Sequence, residues 1–156
     1  NAEWPQSFSL LERLIRSALG GRALRIEHVG STSIAGMAAK PIIDVVLEVE
    51  TSGDEDAYVP LLEAAGFILH LREPGWFEHR ALKFRNPEAN LHVFSRGCEE
   101  ILRMTAFRDW LGRSPEDHAL YFELKRELAT RVWEYRQDYA DAKSDVVSAI
   151  LRRAMA

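Results

Sequence analysis

Apolar positions along the chain follow three patterns, and each predicts a different element. Leu10, Leu11, Leu14, Ile15 and Ala18 recur at helical spacing before Gly20-Gly21, which predicts an amphipathic helix from about Ser7 to Leu19. Leu24 to Val29 alternates apolar and polar residues, as a half-buried strand does. After Gly30-Ser31-Thr32-Ser33, the small apolar stretch Ile34 to Ala39 has room for one helical turn. Ile42 to Val49 is almost continuously apolar and reads as a central strand with Asp44 embedded in it. Asp54-Glu55-Asp56 precedes a short helix over Val59 to Ala65, acids being favoured at a helix start, and Gly66 ends it.

Three short strand-like runs come next, Phe67 to Leu71, Trp76 to Phe84 and Leu91 to Phe94. The turn formers Pro74-Gly75 and Asn86-Pro87 separate them, which predicts an antiparallel meander joined to the earlier strands. The remainder is helical in period. Ile101, Leu102, Met104, Phe107, Trp110 and Leu111 make one apolar face. Ser114-Pro115 opens a second helix, with Ser as cap and Pro in the first turn, and Leu120, Tyr121, Leu124, Leu128, Val132 and Tyr135 continue it. Val146, Val147, Ile150, Leu151 and Ala154 stripe a last one. The expected fold is therefore α+β: a mixed or antiparallel sheet of about five strands packed with helices. The 156 residues suit a single domain, sheet-bearing from about 22 to 96 and helical from about 98 to 155.

Composition narrows the classes. Hydrophobic residues at 47% supply a core, and 28% charged residues are ordinary for a globular domain. The formal net charge of −4 argues against a protein that coats nucleic acid or an anionic membrane by bulk charge. That total is unevenly placed: residues 45–71 carry −6, whereas 22–44 and 72–113 together carry +3. A local pocket for one small anion is compatible with this distribution. Cys98 is the sole cysteine, so an internal disulfide or a cysteine-based metal cluster is excluded. No apolar run is long enough to span a bilayer, and the first twenty residues lack a signal-peptide layout. The expectation is a cytoplasmic protein without a membrane partner, its N-terminus trimmed because position 1 is Asn.

Candidate chemistry concentrates around residues 27–44. Gly30 after a strand lets the backbone approach a ligand, and Ser31 and Thr32 add N–H and O–H donors suited to an anion. Lys40 offers a point charge to the same phosphate or carboxylate. The alternative is that these hydroxyls simply cap the turn. Arg80, Lys83, Arg103 and Arg108 sit among strand or apolar neighbours, where a charge needs either a partner or a ligand. For Arg103 and Arg108 an ion pair within their own helix is the competing reading. His28 and His92 are strand histidines and are either site residues or hydrogen-bonded structural ones. No pair of histidines has helical metal-ligand spacing, so a metal site would have to assemble in three dimensions.

The run Glu27-His28-Val29-Gly30-Ser31-Thr32-Ser33 through Ala39-Lys40-Pro41-Ile42-Ile43-Asp44 resembles the signature of the GrpB family. The likeness continues in Glu78-His79-Arg80, Lys83-Phe84, Asn90-Leu91-His92-Val93, Arg103, Phe107 to Leu111, Tyr121, Leu124-Lys125, and the pair Tyr139 and Lys143. It implies a minimal nucleotidyltransferase-like fold with a C-terminal helical segment, a domain that also occurs fused to dephospho-CoA kinase. It further implies a small phosphorylated or nucleotide ligand and a Mg²⁺ or Mn²⁺ cofactor. Asp44 would be a metal ligand with His92 beside it, and Asp44, His92 and Lys40 the catalytic set. Gly30, Ser31, Thr32, Lys40, Arg80, Lys83, Arg103 and Arg108 would hold the phosphate, with His28, Asn90, Tyr139 and Lys143 as further site residues.

One departure stands out. A two-metal phosphoryl-transfer site of this kind needs a second carboxylate two residues beyond the first, and that position is Val46. Glu48 lies on the same face as Asp44, but ~13 Å of strand separates them, too far to share an ion. Two functions are therefore expected from the sequence: a nucleotidyl- or phosphoryl-transfer enzyme, or a non-catalytic anion- or nucleotide-binding module on the same fold.

Overall fold

The first helix, α1, spans Trp4–Leu19, starting earlier than its apolar stripe because Pro5 is suited to a first helical turn. It buries Leu11, Ile15 and Leu19, positions four apart on one face. Strand β1 covers Arg25–Val29 and β2 covers Ile43–Val49. The helical turn expected over Ile34 to Ala39 lies instead at Ser31–Ser33. Gly30, at φ 74°, reverses the chain there, and Ile34 and Met37 serve as core side chains beneath the C-terminal helices. Helix α2 covers Val59–Ala64, then β3 Ile68–Glu73, β4 His79–Arg85 and β5 Glu88–Ser95. Helices α3 (Glu99–Arg113), α4 (Pro115–Thr130) and α5 (Arg136–Ala154) complete the chain. The computed structural model describes residues 3–130 and 136–156, with side chains at 3–127 and 144–156. Leu128 therefore enters only through its backbone, and Val132 and Tyr135 lie outside the described residues.

The five strands form one mixed sheet in the order β1-β2-β5-β4-β3. The meander β3-β4-β5 is antiparallel, as is β1·β2, and the parallel pair β2·β5 joins the two halves. One face of this sheet packs on α1 and α2: Ile26, Ile43, Val45, Leu47, Leu82, Leu91 and Val93 meet Leu11, Ile15, Leu19, Tyr58 and Leu62. The other face has a small apolar cluster, Val29, Val46 and Phe94 against Ile101 of α3. That cluster covers only part of the face, and the polar residues beside it remain accessible.

A third cluster joins the C-terminal helices to the loop after β1. Ile34 and Met37 pack with Leu111, Tyr121 and Ile150. Its polar fastening is Asp117, buried in the first turn of α4. The Asp117 carboxylate accepts from Trp110 Nε1 of α3 at 2.6 Å and from Arg153 of α5 at 2.5 and 2.7 Å. Arg153, helped by Trp110, holds the Asp117 carboxyl below its usual range. His118 adds a tie to the loop, its Nε2 donating to the Ala35 carbonyl at 2.9 Å. Replacing Asp117 with Ala is expected to lower the urea unfolding midpoint. The difference from the parent is full above the ordinary aspartate range and closes as pH falls through the lowered value. Urea melts at pH 7 and in strong acid check both parts.

Candidate functional site

Strand register decides which side chains share the open face. Val29 pairs with Asp44, Asp44 with Asn90, and Asn90 with Lys83. Cross-strand partners point to the same side of a sheet, so Lys83, Asn90, Asp44 and Val29 form one row. The adjacent row is Ala81, His92, Val46 and Glu27. Asp44 and His92 thus come together from segments far apart in sequence. Asp44 Oδ1 lies 3.3 Å from His92 Nε2. The contacts continue across the sheet, because His92 Nδ1 is 3.1 Å from His79 Nε2, and His79 Nδ1 is 2.7 Å from Glu73 Oε1.

His79 is the buried member of this chain, 4% exposed, stacked on Phe94 and edge-on to Trp76. Burial holds its imidazole below the usual range, against the pull of Glu73. The loop before it contains two successive residues in the left-handed region, Phe77 (φ 54°) and Glu78 (φ 52°), each costing on the order of 1 kcal/mol or more. That loop closes the Glu73–His79 pairing and lays Trp76 over the ring.

Above Asp44 and His92 is a cavity of about 430 Å³. Its floor is Val29, Gly30, Asp44 and His92, and its wall is formed by α3, α4 and α5. Met104, Phe107, Tyr121, Val147 and Leu151 make that wall apolar, whereas Glu100 and Arg103 add a polar margin. Arg103 is half exposed and 3.6 Å from Glu100, whose carboxyl burial pushes upward. Gly30 is required here on two counts. Its φ is positive, and a Cβ on it would stand 2.7 Å from Asp44 Oδ2. The glycine of the loop is therefore what admits the Asp44 carboxylate.

The remaining candidate residues are placed as follows. Ser31 is joined to α4 by a hydrogen bond from Lys125 Nζ, a residue that sequence reading did not single out as part of the site. Thr32 is buried, with Oγ1 2.9 Å from His28 Nε2. His28 faces α1, stacked on Phe8, and burial together with the Arg108 charge lowers its pKa to about 4. It is a neutral structural residue on the opposite face from Asp44. Lys40 is exposed in the loop before β2. Arg80 also points to the opposite face, where it is buried and bonds Glu55 at 2.7 Å. Arg72 and Arg80 together hold Glu55 down at about 2. Arg108 fastens α3 to β1 by bonds to Glu27 (2.9 Å) and the His28 carbonyl (3.0 Å). These three internal engagements keep Arg80, Arg108 and His28 out of the cavity lining. Tyr139 and Lys143 lie on α5, but their side chains fall outside the described residues.

The carboxylates do not assemble the two-metal arrangement. Glu48 accepts from the Gly97 amide at 2.8 Å, and Glu27 pairs with Arg25 and Arg108. Among the described residues no group of three His, Cys, Asp or Glu is placed to hold an ion. The donor set therefore does not fit that cofactor arrangement. Among the described residues no helix is long and apolar enough to cross a membrane.

A mixed sheet with helices on both faces and an open polar row beneath a helical wall defines a small α+β domain with a helix-walled cavity. The chain belongs to the GrpB family: a family profile described as GrpB protein matches residues 1–153. A UPF0157 protein of Halalkalibacterium halodurans is 52% identical over 153 residues, spanning 98% of this chain and 78% of that one. The crystal structure of conserved protein GrpB from Enterococcus faecalis superposes with a TM-score of 0.79 at 28% identity, covering 100% of this chain and 97% of that chain. A dephospho-CoA kinase of Mycolicibacterium paratuberculosis is 29% identical over 83% of this chain, which spans 38% of that longer protein.

Two outcomes are expected. Gly30→Ala destabilises the fold by about 1–3 kcal/mol and displaces the Asp44 carboxylate, measured by chemical denaturation and by the Asp44 side-chain carboxyl resonance in NMR. His28 makes stability pH-dependent: the unfolded chain takes up a proton near the ordinary histidine value of 6.5, the folded one only at about 4. Its contribution is thus full above 6.5 and lost as pH falls toward 4, and His28→Gln flattens that part of the stability profile.

Proposed function

We propose that this protein binds a small phosphorylated or nucleotide ligand in the cavity over Asp44 and His92, and carries out a group transfer on it in the cytoplasm. The observation that carries this reading is the convergence of Gly30, Asp44 and His92 on the floor of a 430 Å³ space whose wall is mainly apolar. That size and lining suit a small organic molecule with one polar end. The apolar wall from Met104, Phe107 and Tyr121 would hold a base or another flat group. Arg103, Asn90 and Lys83 would meet the anionic end. Asp44 and His92 would act where bonds change, one as a fixed charge and the other as a proton carrier. The similarity to proteins named dephospho-CoA kinase supports a nucleotide-related role.

One observation favours a second reading, a non-catalytic binding module: Asp44 and His92 are engaged with each other, and the second carboxylate of a two-metal site is missing. Calorimetry with the four ribonucleoside triphosphates and with CoA, each with and without Mg²⁺ or Mn²⁺, separates the two. Binding in the micromolar to millimolar range is expected for at least one of them. Arg103→Ala should weaken it about tenfold, the loss of one charge-assisted hydrogen bond. Arg80→Ala, on the other face, should destabilise the fold without changing affinity per folded molecule. Turnover lost in Asp44→Ala selects the enzyme, and binding without turnover selects the module. If none of these ligands binds at millimolar concentration, the reading fails.

A further inference from the structure

The four residues Asp44, His92, His79 and Glu73 form one line of polar contacts running from the cavity floor to the outer strand of the sheet. Its consecutive separations are 3.3, 3.1 and 2.7 Å. With both carboxylates ionised and both rings neutral, two ring protons serve three contacts, so one contact has none, and the distances choose which. Both end groups are carboxylates that can only accept, and the shorter of their two contacts, 2.7 Å at Glu73 against 3.3 Å at Asp44, places the proton on His79 Nδ1. A neutral His79 then has a bare Nε2, and the 3.1 Å contact with His92 needs a proton on His92 Nδ1. The neutral form of His92 is then left with a lone pair on Nε2, beside Asp44 and at the cavity floor. The contact left without a proton is then the one at Asp44, 3.3 Å long. Burial of His79 between Phe94 and Trp76 favours its neutral form and so supports the same assignment.

We infer that Glu73 and His79 are positioning residues that fix the tautomer of His92, making its Nε2 the proton acceptor of the pocket. The assignment rests on the reading of the cavity as a ligand site, and it narrows the co-substrate to a molecule that gives up an O–H proton, an alcohol or water. That proton passes to His92 Nε2. The imidazolium so formed donates to Asp44 Oδ1 on one side and to His79 Nε2 on the other, with Glu73 closing the line. Asp44 would then neutralise the new charge without taking the proton itself, and Glu73, 42% exposed, lies at the solvent end. In orientation logic this is a base held by a second group that is held by a third.

The test needs no ligand, so its outcome is independent of whether any nucleotide binds. Long-range ¹H–¹⁵N correlation spectra of the intact protein, at a pH where both rings are neutral, show which nitrogen of each ring carries hydrogen. Spectra of His92→Gln and His79→Phe assign the signals, and the second replacement keeps an aromatic ring between Phe94 and Trp76. In the parent, both rings should be protonated at Nδ1 and bare at Nε2. In Glu73→Ala, a change on a half-exposed edge-strand side chain, His79 loses its acceptor and its proton moves to Nε2. His92 Nδ1 must then accept, and the His92 proton should switch to Nε2, although the substituted residue does not touch His92. A merely structural role for Glu73 would not move that signal. Finding His92 protonated at Nε2 in the parent, or unchanged at Nδ1 in folded Glu73→Ala, overturns the inference.

Discussion

The parallel pairing of β2 with β5 is the constraint on which both faces of the sheet depend. It sets Val45 against Leu91 on the face that α1 and α2 cover, and Val46 against His92 on the open face. Because side chains alternate along a strand, a one-residue slip of β5 against β2 would turn β5 over. Leu91 and Val93 would be exposed, at about 1.5–3 kcal/mol each, and His92 would be driven into the core, away from Asp44. The hydrophobic register that stabilises the fold is therefore the same register that assembles the site. No separate device is needed to bring Asp44 and His92 within hydrogen-bonding distance.

The charged residues divide along the same line. Arg80, Arg108 and Arg153 each bind an acid that belongs to a different element, Glu55, Glu27 and Asp117. They act as ties between layers: Arg80 between β4 and the segment before α2, Arg108 between α3 and β1, Arg153 between α5 and α4. Arg80 and Arg108, which lie in the positively charged motif-bearing segments, are used in this way. What faces the cavity is more evenly balanced, with Arg103, Asp44, Glu100 and His92.

Most of the architecture could be read from apolar spacing. The element order, the mixed sheet of five strands and the antiparallel meander all follow from runs that alternate or recur at helical period. Asp44 and His92 were legible as chemistry because each is a polar residue in an apolar strand. One further signal was available: Arg80 and Lys83 are three apart on one strand, so they cannot face the same ligand. Arg80 in fact lies on the helix-covered face and Lys83 on the open one. His79 and Glu73 were not legible as partners of His92. Their meeting depends on the irregularity between Leu69 and Leu71 in the β3·β4 pairing and on the left-handed pair Phe77-Glu78, which no local pattern announces. His28 and Thr32 show the reverse case, polar residues in a promising motif that bond to each other instead.

The cavity has a floor and a wall of different origin. Everything polar beneath it comes from residues up to 95, on strands whose positions are locked by backbone pairing to their neighbours. The apolar wall comes from three helices that follow. Exchange of Phe107, Val147 or Leu151 therefore alters the wall while the strands that hold Asp44 and His92 keep their pairing. The shape of the cavity and the polar groups at its floor are thus written in different halves of the chain.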